Sequence, residues 1–245
     1  MRRFVTAVLL STLLIGLVPG AQAAQTWVEG THYVRLPQPQ RTNVDPGKVE
    51  VLEVFSYGCP ACNHFQPEAE RIRHDLPPNA QFNLLPASWN KGEDWPMLQQ
   101  AFFTAQVLGV AEKAHHAMFD AIWKTGELAV VDQKAGTVKN PPPSIEDAAQ
   151  FYKRTTGVDP AKFLNISKSF VVSMKMRAAD SQIMAMDVTG TPSIIVNGKY
   201  KVLLESVGGS YDDIIGVIRY LVSLEAAHAQ QQAPAPAHFA KAASH

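Results

Sequence analysis

At residue 58 the hydrophobic pattern of this chain changes period, and that change restricts what the sequence can fold into. Val49 to Ser56 is rich in β-branched and aromatic residues and predicts a buried strand. The segment that follows predicts a helix to about His74, with Phe65, Ala69 and Ile72 on one stripe and Pro67 inside it as a candidate kink. The junction, Ser56-Tyr57-Gly58-Cys59-Pro60-Ala61-Cys62, contains the only two cysteines of the 245 residues. Gln81 to Pro86 reads as a second strand, so the unit is strand, helix, strand.

This position gives the two thiols different chemistry. Pro60 suits the first helical position, which leaves Cys59 at the helix N-terminus, where free amides and the macrodipole favour an anion. Cys62 lies almost one turn further along the same face, within reach of Cys59 but shielded by helix and sheet. Cys59 is therefore the candidate accessible nucleophile and Cys62 the resolving thiol of a redox pair. A purely structural bridge would close a very short loop and contribute little stability. A zinc site needs two more ligands, and the eight histidines offer only the adjacent His115-His116 and scattered singles. A cysteine hydrolase needs a His with Asn or Asp beside the nucleophile, and none is readable.

The N-terminus bears on the compartment. Arg2 and Arg3 precede an apolar run from Phe4 to Val18, then Pro19, Gly20 and Ala21-Gln22-Ala23-Ala24. The run is shorter than a membrane span, so 1–23 is expected to be a signal peptide cleaved near Ala23. The mature chain is then expected to be periplasmic, in a compartment that permits disulfides. The 22 basic and 22 acidic residues balance, so no charge field points to nucleic acid or to a membrane surface.

Further along, Tyr33 to Leu36 is a candidate short strand. Pro96–Leu108, Ala111–Trp123, Ile145–Thr155, Pro160–Ser167 and Phe170 to about Met186 predict helices. Asp94, Ser144 and Asp159 are candidate N-caps, and Gly109, Gly126 and Gly157 candidate stops. A loop from Glu127 to Pro143 interrupts the block. Ser193 to Val196 predicts a strand, Asn197-Gly198 a two-residue hairpin turn and Lys199 to Leu204 the return strand. After Gly208-Gly209, Ser210 with Asp213 predicts the start of a last helix that buries Ile214, Val217, Ile218 and Leu221. From Ala226 the Ala, Gln, Pro and His composition predicts disorder to His245.

Phe55 to Cys62, Val188-Thr189-Gly190-Thr191-Pro192-Ser193 and Val196 to Tyr200 together resemble the periplasmic thiol:disulfide interchange proteins of the DsbA type, over nearly the whole mature chain. The resemblance implies an α/β thioredoxin-like fold with an inserted α-helical domain: 24–90 and 188–225 as the thioredoxin-like part, 91–187 as the insertion and 226–245 as a disordered tail. It implies that the Cys59-Cys62 disulfide is donated to cysteines of newly exported, unfolded proteins through a mixed disulfide on Cys59. Pro192 corresponds to the family's cis-proline, and Thr191 to the residue whose backbone pairs with substrate. Pro60 and Ala61 complete the implied substrate-binding surface. Glu53 corresponds to a buried acid that helps move protons, although on the residues alone it reads equally as an edge-strand charge.

No cofactor or metal is implied, reoxidation falls to a DsbB-type membrane oxidase, and a monomer is expected. Ala61 departs from the strongly oxidising members, which carry His there, and a milder oxidant is expected. A disulfide isomerase or reductase, and a non-catalytic holdase for exported chains, are the competing functions. Isomerases of the family carry an N-terminal dimerisation domain, for which the segment before Cys59 is short.

Overall fold

The computed structural model describes residues 26–132, 134–205 and 210–232. The expected signal peptide and its cleavage site, Gly208-Gly209 and the last thirteen residues lie outside these. A five-stranded sheet forms the centre: β1 (Tyr33–Arg35), β2 (Val49–Phe55), β3 (Ala80–Pro86), β6 (Ser193–Val196) and β7 (Tyr200–Val202), in the order β1-β7-β6-β2-β3. β2 runs parallel to β3 and antiparallel to β6, with Glu53 opposite Leu84 on one side and Ile194 on the other. All seven residues of β2 are buried, because it has a strand on each edge and helices on each face. Glu53 is therefore an interior residue of a central strand, not an edge charge.

Between β3 and β6 the chain builds α2 (Trp95–Val107), α3 (Ala111–Trp123), α4 (Ile145–Thr156), α5 (Pro160–Ser167) and α6 (Phe170–Ala185). Their boundaries follow the sequence pattern within a residue or so. The caps explain why. Ser144 and Asp147 form a reciprocal capping box on α4, Asp159 accepts from the Lys162 N–H on α5, and Gly157 closes α4 at φ +83°. Asp94 behaves differently from expectation. It occupies the N-cap position of α2 but adopts φ +53° and makes no side-chain capping bond, since a short 3₁₀ turn at Lys91–Glu93 feeds directly into the helix. The loop after Glu127 also holds more order than its composition suggests: Val131–Asp132 (β4) and Thr137–Val138 (β5) pair as a small antiparallel ribbon.

Two apolar cores flank the sheet. One joins Leu52, Val54 and Phe55 to the inserted helices, α6 among them, and includes both cysteines. The other packs Val51, Ile194 and Val196 against α1 (Pro60–Asp75) and α7 (Tyr211–Gln232). The β6–β7 turn is set by Asn197 and Gly198, both at positive φ. Gly198 also lies so close to the Gln40 carbonyl that a Cβ there would come within 2.3 Å of the oxygen. Glu225 of α7 clamps this hairpin by accepting from Asn197, Lys199 and Tyr200. The helix then continues to Gln232, so the expected disorder from Ala226 is wrong for 226–232. Ala and Gln are good helix formers, and extending an anchored helix requires no new nucleus. The result is an α/β thioredoxin-like fold with a helical insertion.

Candidate active site

β2 ends at Phe55, and the turn Ser56 to Gly58 redirects the chain into α1. Cys59 occupies the N-cap position with extended backbone, and Pro60 begins the helix. Trp123 on α3 holds the turn by donating its indole N–H to the Tyr57 carbonyl at 2.9 Å. Gly58 is needed because α2 packs directly on it: a Cβ there would come within 2.8 Å of Trp95 Nε1. Beneath the turn, Phe55, Tyr57, Phe102 and Phe119 form edge-on aromatic contacts around His115. His115 Nδ1 lies 2.9 Å from the Tyr57 hydroxyl, and burial depresses its pKa to about 3, so the ring is neutral.

Both cysteines are free thiols here. Cys59 is 7% accessible and Cys62 1%, so the expected order of exposure holds, but even the candidate nucleophile is largely covered and can be reached from only a narrow range of directions. The Cys62 backbone N–H donates to Cys59 Sγ at 3.4 Å, and the Cys59 thiol donates to the Thr191 carbonyl at 3.3 Å. The Thr191-Pro192 bond is cis, as expected. Thr191 Oγ1 is buried without a hydrogen-bond partner in the dithiol. Its O–H is free to rotate toward the sulfur when that sulfur becomes an anion.

The proton affinities of the two thiols diverge. Cys59 falls from 9.0 to about 6. The largest cause is the hydrogen bond from the Cys62 side chain. Burial opposes it, and Thr191 and the Cys62 and Ala61 backbone amides add to it. The acidity expected from helix position is therefore present, but the neighbouring thiol contributes more than the amides. Cys62 is pushed strongly upward, first by burial and then by its bond to and charge repulsion from Cys59. Glu53, below the pair, is raised from 4.5 to about 8, mainly by burial; the Arg73 charge pulls it down, and Glu70 and the Cys59 thiolate push it up. An acid of that kind holds a proton near neutral pH and can exchange it.

The structure therefore brings together Cys59, Cys62, Pro60, Ala61, Thr191, Pro192 and, underneath, Glu53. Sequence reasoning missed Tyr57, His115, Trp123 and Arg73. Tyr57 could have been flagged by its place in the turn, whereas nothing in the sequence relates His115 or Trp123 to a motif more than fifty residues away. Two grooves flank the turn. One of about 820 Å³ is lined by Ala61, Phe65, Thr191, Pro192 and Leu204 among others, and one of about 530 Å³ lies toward the insertion. A third cavity, of about 600 Å³ against Glu50 and Lys175, includes none of the predicted site residues. No group of three or more potential metal ligands occurs among the described residues. No described helix is long and apolar enough to cross a membrane.

The chain is similar to known proteins over most of its length. Residues 50–211 match the DSBA-like thioredoxin domain family. The thiol:disulfide interchange protein DsbA of Pseudomonas aeruginosa is 35% identical over 226 residues, covering 92% of this chain and 97% of its own. That of Pseudomonas syringae pv. tomato is 38% identical over 205 residues, covering 84% and 87%. Among solved structures, Xylella fastidiosa DsbA superposes with a TM-score of 0.69 at 33% identity, over 82% of this chain and 98% of that one. Pseudomonas aeruginosa DsbA superposes with a TM-score of 0.67 at 35% identity, over 83% and 97%.

Proposed function

The chain belongs to the DSBA-like thioredoxin domain family and is a thiol:disulfide oxidoreductase, and on that premise we propose that Cys59 and Cys62 form the disulfide it donates. A substrate thiolate attacks Cys59 Sγ, the Cys59–Cys62 bond breaks and a mixed disulfide forms. Cys62 leaves with the electron pair. Its high proton affinity means that it takes up a proton at once, and Glu53, raised to about 8, is the nearby acid able to pass one. A second substrate thiolate then attacks the substrate sulfur of the mixed disulfide and expels the Cys59 thiolate. A thiol with a pKa of about 6 is a good leaving group, so the chemistry favours donating the disulfide over taking one.

The observation that carries this reading is the placement of Cys59 Sγ between the Cys62 N–H and the carbonyl of Thr191, the residue before cis-Pro192. That edge exposes backbone at the attacked sulfur, where an extended substrate can pair as an added strand. Ala61 lines the same groove as Thr191 and Pro192, and Pro60 the groove toward the insertion. The substrates proposed are unfolded exported proteins with free cysteines, met in the periplasm after removal of residues 1–23. The protein acts as a monomer and passes two electrons to a DsbB-type membrane oxidase. Residues 24–90 and 188–225 form the catalytic unit and 91–187 the insertion that covers it.

Ala61 puts no imidazole between Pro60 and Cys62, and Cys59 at about 6 falls between the general reference points of about 3.5 for DsbA and about 7 for thioredoxin. Equilibration with glutathione is expected to give a potential between the general values of about −120 mV for DsbA and about −270 mV for thioredoxin. Cys59→Ser is expected to abolish oxidation of a reduced, unfolded substrate. Retained activity in that variant would favour a holdase, and rescue of scrambled disulfides faster than oxidation of reduced substrate would favour an isomerase.

A further inference from the structure

The groove of about 530 Å³ beside the cysteine turn has no part in the steps above. It begins at Gly58 and Pro60, the residues on either side of Cys59, and runs toward the insertion, where Leu98, Leu128 and Val131 supply an apolar lining. Leu98 and Leu128 are buried, while Val131, on the β4–β5 ribbon, is 40% exposed at the mouth. Glu93 is the one Asp, Glu, Lys or Arg among its lining residues. Its carboxylate accepts from Trp95 Nε1 at 3.2 Å and retains capacity for a further donor. The larger groove on the Pro192 side lies across the first turn of α1, and His64 lines both. The cysteine turn is thus a ridge between two depressions.

A substrate joined to Cys59 through a mixed disulfide has to lie across that ridge. In an extended chain, successive residues advance about 3.3 Å and side chains alternate. A substrate that follows the Thr191-Pro192 edge on one side of its cysteine therefore carries a side chain, one or two residues to the other side, to the mouth of the smaller groove. We propose that this groove is a second substrate subsite, which takes an aliphatic stem, prefers one ending in a cation, and rejects carboxylates. The stem meets Leu98, Leu128 and Val131, a lysine or arginine head meets Glu93, and an aspartate or glutamate would face Glu93 with no Lys or Arg among the described lining residues to offset it. This rests on the oxidoreductase reading and adds a sequence preference to it. The occupant is the polypeptide already bound at Cys59, because Gly58 and Pro60, the residues on either side of the attacked one, line the groove.

The test is a set of single-cysteine peptides with Leu, Lys, Ala or Asp at each of the two positions on either side of the cysteine. Each is reacted with the oxidised, mature protein, with dithiothreitol as a reductant that occupies no subsite. At one of these positions Lys and Leu are expected to exceed Asp by about tenfold in kcat/KM. Val131→Lys, which sets a cation against Glu93 and against a substrate lysine, is expected to erase that advantage while the dithiothreitol rate stays unchanged. Glu93→Gln is expected to bring Lys down to the level of Leu and leave Leu as it was. A flat series with the wild-type protein, or a preference that survives Val131→Lys, would overturn the subsite and leave the oxidoreductase reading standing. Failure to react with dithiothreitol would remove both.

Discussion

If the Cys62 side chain is the main stabiliser of the Cys59 thiolate, removing it while keeping the backbone should raise the Cys59 pKa in a predictable way. At about 6, Cys59 is roughly 90% thiolate at pH 7, against roughly 1% for a thiol at the unperturbed value of 9.0. Hydrogen bonds to charged groups are worth about 1.5–3 kcal/mol, or about one to two pKa units at 1.36 kcal/mol per unit. A thiol is a weak donor and water reaches the edge of Cys59, so the lower end applies. Cys62→Ala is then expected to titrate about one unit higher, near 7, leaving roughly half of Cys59 ionised at pH 7. Cys62→Ser keeps a hydroxyl donor and is expected to stay near the wild-type value. Both variants keep the Cys62 N–H to Cys59 Sγ and the Ala61 amide, so the pair isolates the side chain. Thiolate absorbance at 240 nm from pH 4 to 9, backed by alkylation rates, measures it. If the Ala and Ser variants titrate together, the acidity arises from the helix amides and the assignment to Cys62 is wrong.

Two other buried groups link stability to pH in opposite senses. Glu53 is raised from 4.5 to about 8, so the stability associated with its protonated form is complete below pH 4.5 and lost as pH rises toward 8. Glu53→Gln is expected to gain roughly 3 kcal/mol relative to wild type between pH 4.5 and pH 7, read as a melting difference that widens with pH. A constant difference across that range would show that Glu53 does not titrate there. His115 is depressed to about 3, so its neutral form contributes stability above pH 6.5 that is lost as pH falls toward 3. His115→Gln is expected to recover roughly 4 kcal/mol of that loss at pH 3, and its acid-unfolding midpoint should move down. An unchanged midpoint would mean that acid unfolding begins elsewhere.

The parts of this fold that were legible in the sequence are those written in local pattern. Ser144 with Asp147, Asp159 before Pro160, and Asn197-Gly198 each fix backbone through their neighbours, and each appears where the spacing puts it. Asp94 shows the limit: its residue type is right for a cap, but the preceding 3₁₀ turn sets its backbone, and its side chain makes no capping bond. The ribbon at Val131 and Thr137 was unreadable for a related reason, since two-residue strands are too short to display a period.

The site divides in the same way. Cys59, Pro60 and Cys62 are neighbours in sequence, so their placement at the start of one helix follows from local pattern alone. Thr191 and Pro192 lie 130 residues away, and only their likeness to a family motif placed them beside Cys59. Glu53 needed the sheet, because a carboxylate in a strand is solvated at an edge and perturbed in the interior, and only the β3-β2-β6 order distinguishes the two. The insertion was legible as helices but not as part of the site. Yet α2 packs on Gly58, and α3 supplies the indole that fixes Tyr57 and the imidazole beneath it. The inserted helices thereby hold the turn that carries Cys59. They also wall the smaller groove, so the same packing that fixes Cys59 on its strand-to-helix junction gives the junction a second face to present to a substrate.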